Sequence, residues 1–406
     1  MTSTARFTPS RPYEVKSEPN VQDEIPMRRH LQAKLLFRIR NFSPAMFAAV
    51  MGCGISSSIL LNFNFPGFWL RRLAYAYWGV ALFLFIWFMT FTVLRHVLFP
   101  DTLIRVLRHP WQSMFFGCIP TAYSSLLMDT VKIFGKRAIW PCYVLLWLDV
   151  SLAVIVGWFI VFNGFATHDR SNSNELTGVI LLPTIALIVN STTAALLVPY
   201  LPYSYKGHVM AVSVLIWGNG ELLAFAYTTV YVWRLLTANL PARENMISCF
   251  LLVGPLGQGA FSVLRNMENL NNYYAVKYPA LTQMPVFLYA GTGISMLMVA
   301  FASFWLFCAV ASCLVARPRR FGITWWSLCF PMGTYALATS ELGRVLDSTA
   351  FKVVSAIVGT TVVVTCFILL LCTVYFGILH EQVFTGLDEE MMSYYAQKNA
   401  SGNNSV

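Results

Sequence analysis

The chain has 406 residues, of which 57% are hydrophobic and 11% charged, with a formal net charge of +10 and a mean hydropathy of +0.60. Average soluble domains carry about 45–50% apolar and ~25% charged residues. A soluble two-domain protein and a disordered chain are therefore both excluded, and a polytopic membrane protein remains. The excess of Lys and Arg fits the cytoplasmic flanks of such a protein rather than a nucleic-acid partner.

Residues 1–26 are polar and Pro-rich and lack the apolar core of a signal peptide, so the first hydrophobic run is expected to stay as a span. Residues 27–41, MRRHLQAKLLFRIRN, place Leu31, Leu35 and Ile39 at four-residue spacing among five basic side chains. Two readings stand side by side: a short interfacial helix against anionic lipid, or a basic flank without regular structure. Ten segments with the ~20 apolar residues a spanning helix needs follow: 44–63, 73–97, 111–134, 138–163, 178–200, 208–236, 246–266, 284–315, 323–343 and 349–379. Their connections are short, so neighbours are expected as five antiparallel hairpins of an all-α membrane domain over 43–380. Cytoplasmic tails over 1–42 and 381–406 flank it. The basic flank of the first span sets the N-terminus inside, and ten spans return the C-terminus to the cytoplasm. The nine cysteines lie in apolar runs without a CxxC, which implies neither a disulfide framework nor a metal site, and no cofactor is expected.

Proline placement carries the repeat. The third, fifth, seventh and ninth spans hold Pro120, Pro183, Pro255 and Pro331, and the first has Gly52 and Gly54 at the corresponding depth. The even spans have proline only in a first turn or not at all. A proline inside a membrane helix frees a carbonyl and kinks the helix, which is tolerable only where protein or a water-filled cavity surrounds it. The odd helices are thus expected as a kinked inner ring around a central pore, and the even helices as an outer ring. Half-helices that start at the kinks would turn their positive dipole ends to the midplane and hold an anion there. The residues around the kinks are small or polar: Gly52, Gly54, Ser56, Ser57, Thr121, Ser124, Ser125, Thr184, Asn190, Ser191, Thr192, Thr193, Gly257, Gln258, Gly259, Gly333 and Thr334. As a set they suit a lining of hydroxyl and amide donors, though each one alone equally suits helix packing. Phe330 precedes Pro331, where an aromatic ring can plug a narrow pore or simply pack.

Asp149 and Glu221 are carboxyls within spans, a costly placement that marks them for proton coupling or for a hydrogen bond to a neighbour. Asp129, Glu341 and Asp347 lie nearer the outer ends and are expected to pair with Lys132 or Arg344. Basic residues follow the pore helices at Lys132, Lys136, Arg137, Lys206, Arg265 and Arg344, and of these Lys136, Arg137, Arg265 and Arg344 are the candidates for a cationic outer vestibule. Enzymatic readings are weak. His96-Val-Leu-Phe-Pro-Asp101 has the HxxxxD spacing of acyltransferases but straddles a helix end, and no Walker motif is present.

The segments FSPAMFAAVMGCGISSSIL (42–60), LWLDVSLAVIVGW (146–158), LVGPLGQGAFSVL (252–264) and TWWSLCFPMGTYALAT (324–339) resemble the tellurite-resistance/dicarboxylate transporter family, and its fungal sulfite-pump branch in particular. The likeness covers about residues 40–380. It implies ten helices with quasi-fivefold symmetry around a pore, a homotrimer with one pore per protomer, and a gating phenylalanine that maps to Phe330. Span five departs from the pump pattern, with VNSTTAA (189–195) where paired glycines are expected. The resemblance makes sulfite or hydrogensulfite export at the plasma membrane the leading expectation, with membrane lipid as surroundings. A C4-dicarboxylate permease or a general anion channel is the alternative. Larger anions would call for fixed cations within the pore, and no Lys or Arg stands deep in an odd span, which favours a small inorganic anion.

Overall fold

The computed structural model describes residues 27–65, 67–167, 176–318 and 321–379. The two expected tails lie largely outside the described residues. The chain divides into two units, Met1–Arg38 and Ile39–Val406. In the basic N-terminal segment α1 (Met27–Arg40) is helical, with Leu35, Leu36 and Phe37 exposed.

The second unit follows as α2 (Phe47–Leu61), α3 (Phe68–Leu98), α4 (Asp101–Arg108), α5 (Cys118–Phe134), α6 (Ile139–Thr167), α7 (Leu182–Leu197), α8 (Tyr203–Ala238), α9 (Val253–Ala275), α10 (Ala280–Gln283), α11 (Val286–Ala316), α12 (Cys329–Val345) and α13 (Thr349–Cys372). The described residues contain no strand. Eight runs are long and apolar enough to cross a bilayer. The expected ten and these eight differ at two places. The 56-residue run Gln112–Thr167 holds both α5 and α6, which part at Gly135, where φ is +52° and the helix stops. The run carrying α12 falls short because Thr334, Thr339, Ser340, Glu341 and Arg344 dilute its apolar content.

Burial sorts the helices into two shells. In their apolar windows α2, α7 and α9 are 89%, 100% and 100% buried, against 17%, 39%, 33% and 22% for α3, α8, α11 and α13. The inner helices pack in a cyclic order: α2 against α5, α5 against α7, α7 against α9, α9 against α12, and α12 back against α2. Each outer helix lies along two consecutive inner ones, as α8 lies along α7 and α9. Helices buried on every side tolerate polar residues, whereas those facing lipid cannot. This is why Ser, Thr, Asn and Gln concentrate in α2, α5, α7, α9 and α12.

The inner prolines act differently from the expected mid-helix kinks. Each inner helix is entered through a 3₁₀ segment, at Pro44–Met46, Gln112–Gly117, Gly178–Leu181, Arg243–Leu252 and Ile323–Leu328. Pro120, Pro183, Pro255 and Pro331 all fall within the first three residues of the α-helix that follows. Each therefore marks a change of pitch from three residues per turn to 3.6. Hydrogen bonding continues across the join: the Cys118 amide donates to Phe115 and Phe116 carbonyls. The hydroxyl next after a proline covers a carbonyl just before it, Thr121 Oγ1 donating to Gly117 at 2.7 Å and Thr184 Oγ1 to Leu181 at 2.8 Å. These hydroxyls give carbonyls at the join an additional donor.

Candidate functional site

The level of the pitch changes brings the inner helices together. Phe330, 2% exposed, belongs to the main apolar cluster of the fold. Next to it, Pro331 of α12 faces Gly254 of α9, and Ile185 of α7 faces the same glycine. Four of the candidate glycines sit at the following close approaches of neighbouring elements. A Cβ on Gly52 would stand 2.7 Å from the Trp326 ring, one on Gly54 2.9 Å from Ser125 Cβ, and one on Gly257 2.7 Å from the Tyr335 nitrogen, while one on Gly333 would collide with Ile55.

The polar candidates divide into three groups. Ser56, Thr121, Ser125 and Thr184 donate to carbonyls of their own helices at 2.7–2.8 Å, and Thr334 to Pro331 at 2.7 Å. Ser191 of α7 is part of a network with Ser213 of α8 and Ser262 and Asn266 of α9, at 2.7–3.3 Å. Gln258 donates to Thr192 at 2.8 Å, while its Oε1 has no partner among the described residues. The two membrane carboxyls have unlike settings. Asp149 on α6 accepts from Ser124 of α5 at 2.6 Å, with the Asn190 amide beside it. Glu221 on α8 has neither oxygen bonded among the described residues, and its carboxyl occupies the notch that Gly259 leaves on α9.

Toward the C-terminal ends of α9 and α12, the vestibule candidates Arg265 and Arg344 are paired with carboxylates. Arg265 of α9 binds Glu268 at 3.1 Å and Glu341 of α12 at 2.8 Å, and Arg344 binds Glu268 at 2.9 Å and Glu341 at 2.5 Å. Two cations and two anions thus form a neutral clamp between α9 and α12, and neither arginine is a free vestibule charge. Lys136 and Arg137 lie exposed in the 3₁₀ turn Gly135–Ala138. Asp347 pairs with Lys352 at 2.5 Å, which holds its carboxyl below the usual carboxylate range. Asp129 takes its hydrogen bond from the Ser58 hydroxyl of α2 instead of pairing with Lys132. The Lys132 nitrogen is enclosed without a hydrogen-bond partner among the described residues and lies 5.5 Å from the centre of the Phe261 ring. The sequence reading places Lys132 among the basic residues after the pore helices and as a partner for Asp129, and does not single out Phe261. The signal within reach was a lysine still inside the apolar third segment. The HxxxxD pair is divided by structure as expected, with His96 in the last turn of α3 bonded to Thr92 and Asp101 opening α4.

The sequence profile of the voltage-dependent anion channel family matches residues 41–374. A sulfite efflux pump of Arthroderma benhamiae is 29% identical over 338 residues, covering 81% of this chain and 88% of that protein. Its counterpart in Candida albicans is 30% identical over 325 residues, covering 75% and 67%. A Schizosaccharomyces pombe protein named for malic acid transport is 24% identical over 378 residues, covering 88% and 85%.

Proposed function

The chain belongs to the voltage-dependent anion channel family, and from this premise we propose that it exports sulfite or hydrogensulfite from the cell through a pore enclosed by the five inner helices. The observation that carries the reading is the closed cyclic packing of α2, α5, α7, α9 and α12, every one of them carrying buried polar side chains and entered through a 3₁₀ segment. Ten helices cross the plasma membrane with quasi-fivefold symmetry, α12 among them because its polar residues face α2, α9, α11 and α13 rather than lipid. Both tails lie in the cytoplasm, and the assembly is a trimer with one pore per protomer. An interior-negative membrane drives an anion outward by about 2.3 kcal/mol per charge per 100 mV, so a gated path suffices.

Phe330 is the gate, supported by its burial beside the Pro331 pitch change. The small and hydroxylated residues near the prolines line the path, with the glycines keeping the helices close. Lys136 and Arg137 supply the outer attraction for anions. Asp149 and Glu221 are the candidates for proton coupling, and Glu221, unbonded among the described residues, is the first to test.

Efflux of labelled sulfite and malate, measured side by side in a host deleted for both activities, tests the substrate. Sulfite export without malate export is expected, and the reverse favours the dicarboxylate reading. Phe330→Ala should raise sulfite flux about tenfold in proteoliposomes, and unchanged flux at normal protein level would remove Phe330 as the gate. Glu221→Gln should abolish the response of flux to an imposed pH gradient, and a retained response would clear Glu221 of that role.

A further inference from the structure

Lys132 stands near the outer end of α5, yet its ammonium does not reach for the surface. The nitrogen is enclosed, has no hydrogen-bond partner and makes no ion pair within 4.0 Å among the described residues. Asp129, one turn below, gives one oxygen to Ser58, while its other buried oxygen has no hydrogen-bond partner among the described residues and its carboxylate acts on Lys132 from beyond ion-pair distance. The ammonium lies over Phe261, 5.5 Å from the ring centre. Phe261 belongs to α9, and α7 stands between α5 and α9 in the cyclic order, so this contact spans the interior of the ring. The Arg265 guanidinium approaches the same ring at 5.8 Å, but its charge is met by Glu268 and Glu341. Phe261 is 1% exposed and stands one turn beyond Gln258 on α9.

A buried ammonium with three donors and no acceptor is unfavourable. A cation–π contact offsets only part of that cost. The deficit is removed when an acceptor of negative charge arrives. Arg265 is engaged in the clamp, and Lys132 is the cation at this ring whose nitrogen has neither a hydrogen bond nor an ion pair within 4.0 Å among the described residues, with the Asp129 carboxylate acting on it from farther off.

We propose that Lys132 is the anion-receiving group of the outer pore, binding a small oxyanion with its ammonium as the anion passes, and releasing Phe261 to turn aside. One fixed point charge suits a compact oxyanion of one or two charges; a C4-dicarboxylate would need two, and Arg265 is already compensated. The proposal rests on the pore reading above and deepens it.

The test uses the purified full-length protein, as wild type, Lys132→Met and Lys132→Arg, with thermal unfolding read in sulfite, malate and chloride and with sulfite efflux from proteoliposomes. Sulfite should raise the melting temperature of wild type and of Lys132→Arg but not of Lys132→Met, which is expected to be as stable as wild type without anion. Losing a charge-assisted hydrogen bond should raise the half-saturating sulfite concentration of Lys132→Met by about 10- to 100-fold, with Lys132→Arg within about threefold of wild type. Overturning results are a retained sulfite shift and unchanged half-saturation in Lys132→Met, or no shift with any of the three anions in wild type. Loss of folded protein in both variants also overturns it, since Lys132 would then be structural. If malate or chloride, and not sulfite, shifts wild type, and Lys132→Met abolishes that shift, the assignment of Lys132 stands and the sulfite reading fails.

Discussion

Two sides of the inner ring handle charge in opposite ways. Between α9 and α12, Arg265, Glu268, Glu341 and Arg344 bond one another in a closed set. On α5, Asp129 turns to Ser58, and Lys132 is left against an aromatic ring. A paired cluster holds two helices in register, and removing one member leaves a charge stranded. A charge held only by an aromatic ring and a more distant carboxylate contributes less to the register of the helices, and its removal should cost the fold less. The contrast teaches which basic residues to read as framework and which as function, a distinction that net charge alone blurs.

The largest effect should come from breaking the clamp. Glu341→Gln takes one carboxylate from both Arg265 and Arg344, leaving the two guanidiniums to share Glu268, and the Glu341 side chain is only 6% exposed. We expect a loss of about 2–3 kcal/mol in thermal unfolding, less than the ~3–5 kcal/mol of a fully buried pair because Arg344 is 44% exposed. A smaller effect, of opposite sign, is expected from Lys132→Met in anion-free buffer: between no change and a gain of about 1 kcal/mol. A clear destabilisation there would erase the contrast. The smallest belongs to Lys136→Gln with Arg137→Gln, both exposed. Unfolding should be unchanged, and flux should fall about twofold at low ionic strength and recover near ~0.3 M salt, where screening removes long-range attraction. A salt-independent loss would deny these two residues an attracting role.

Much of this architecture was legible in the sequence. Hydropathy marked the membrane class, and the recurrence of Pro120, Pro183, Pro255 and Pro331 marked the helices that pack inside. The prolines did not reveal their 3₁₀ approaches, because local residue preferences scarcely separate a 3₁₀ turn from an α turn. The clamp was hidden for another reason. Glu268 lies three residues after Arg265 and reads as an ordinary pair on one helix, but its bond to Arg344 depends on how α9 and α12 align. Gly54 and Gly333 suit a pore lining or close helix packing equally well by sequence, since the residues that face them are not their chain neighbours. The facing residues, Ser125 and Ile55, come from elsewhere in the chain and fill the space beside them. Lys132 faces Phe261 only once the ring is closed.

That closure also fixes an order in time. The helix that completes the circle, α12, meets α2, and Gly333 abuts Ile55 across most of the chain. A ribosome adding about 5–20 residues per second needs roughly 15–60 s to make the intervening stretch. Through that interval the flank of α2 has no partner helix, and the nascent protein encloses nothing. A chain halted before α12 would therefore leave both α2 and α9 without the helix that joins them.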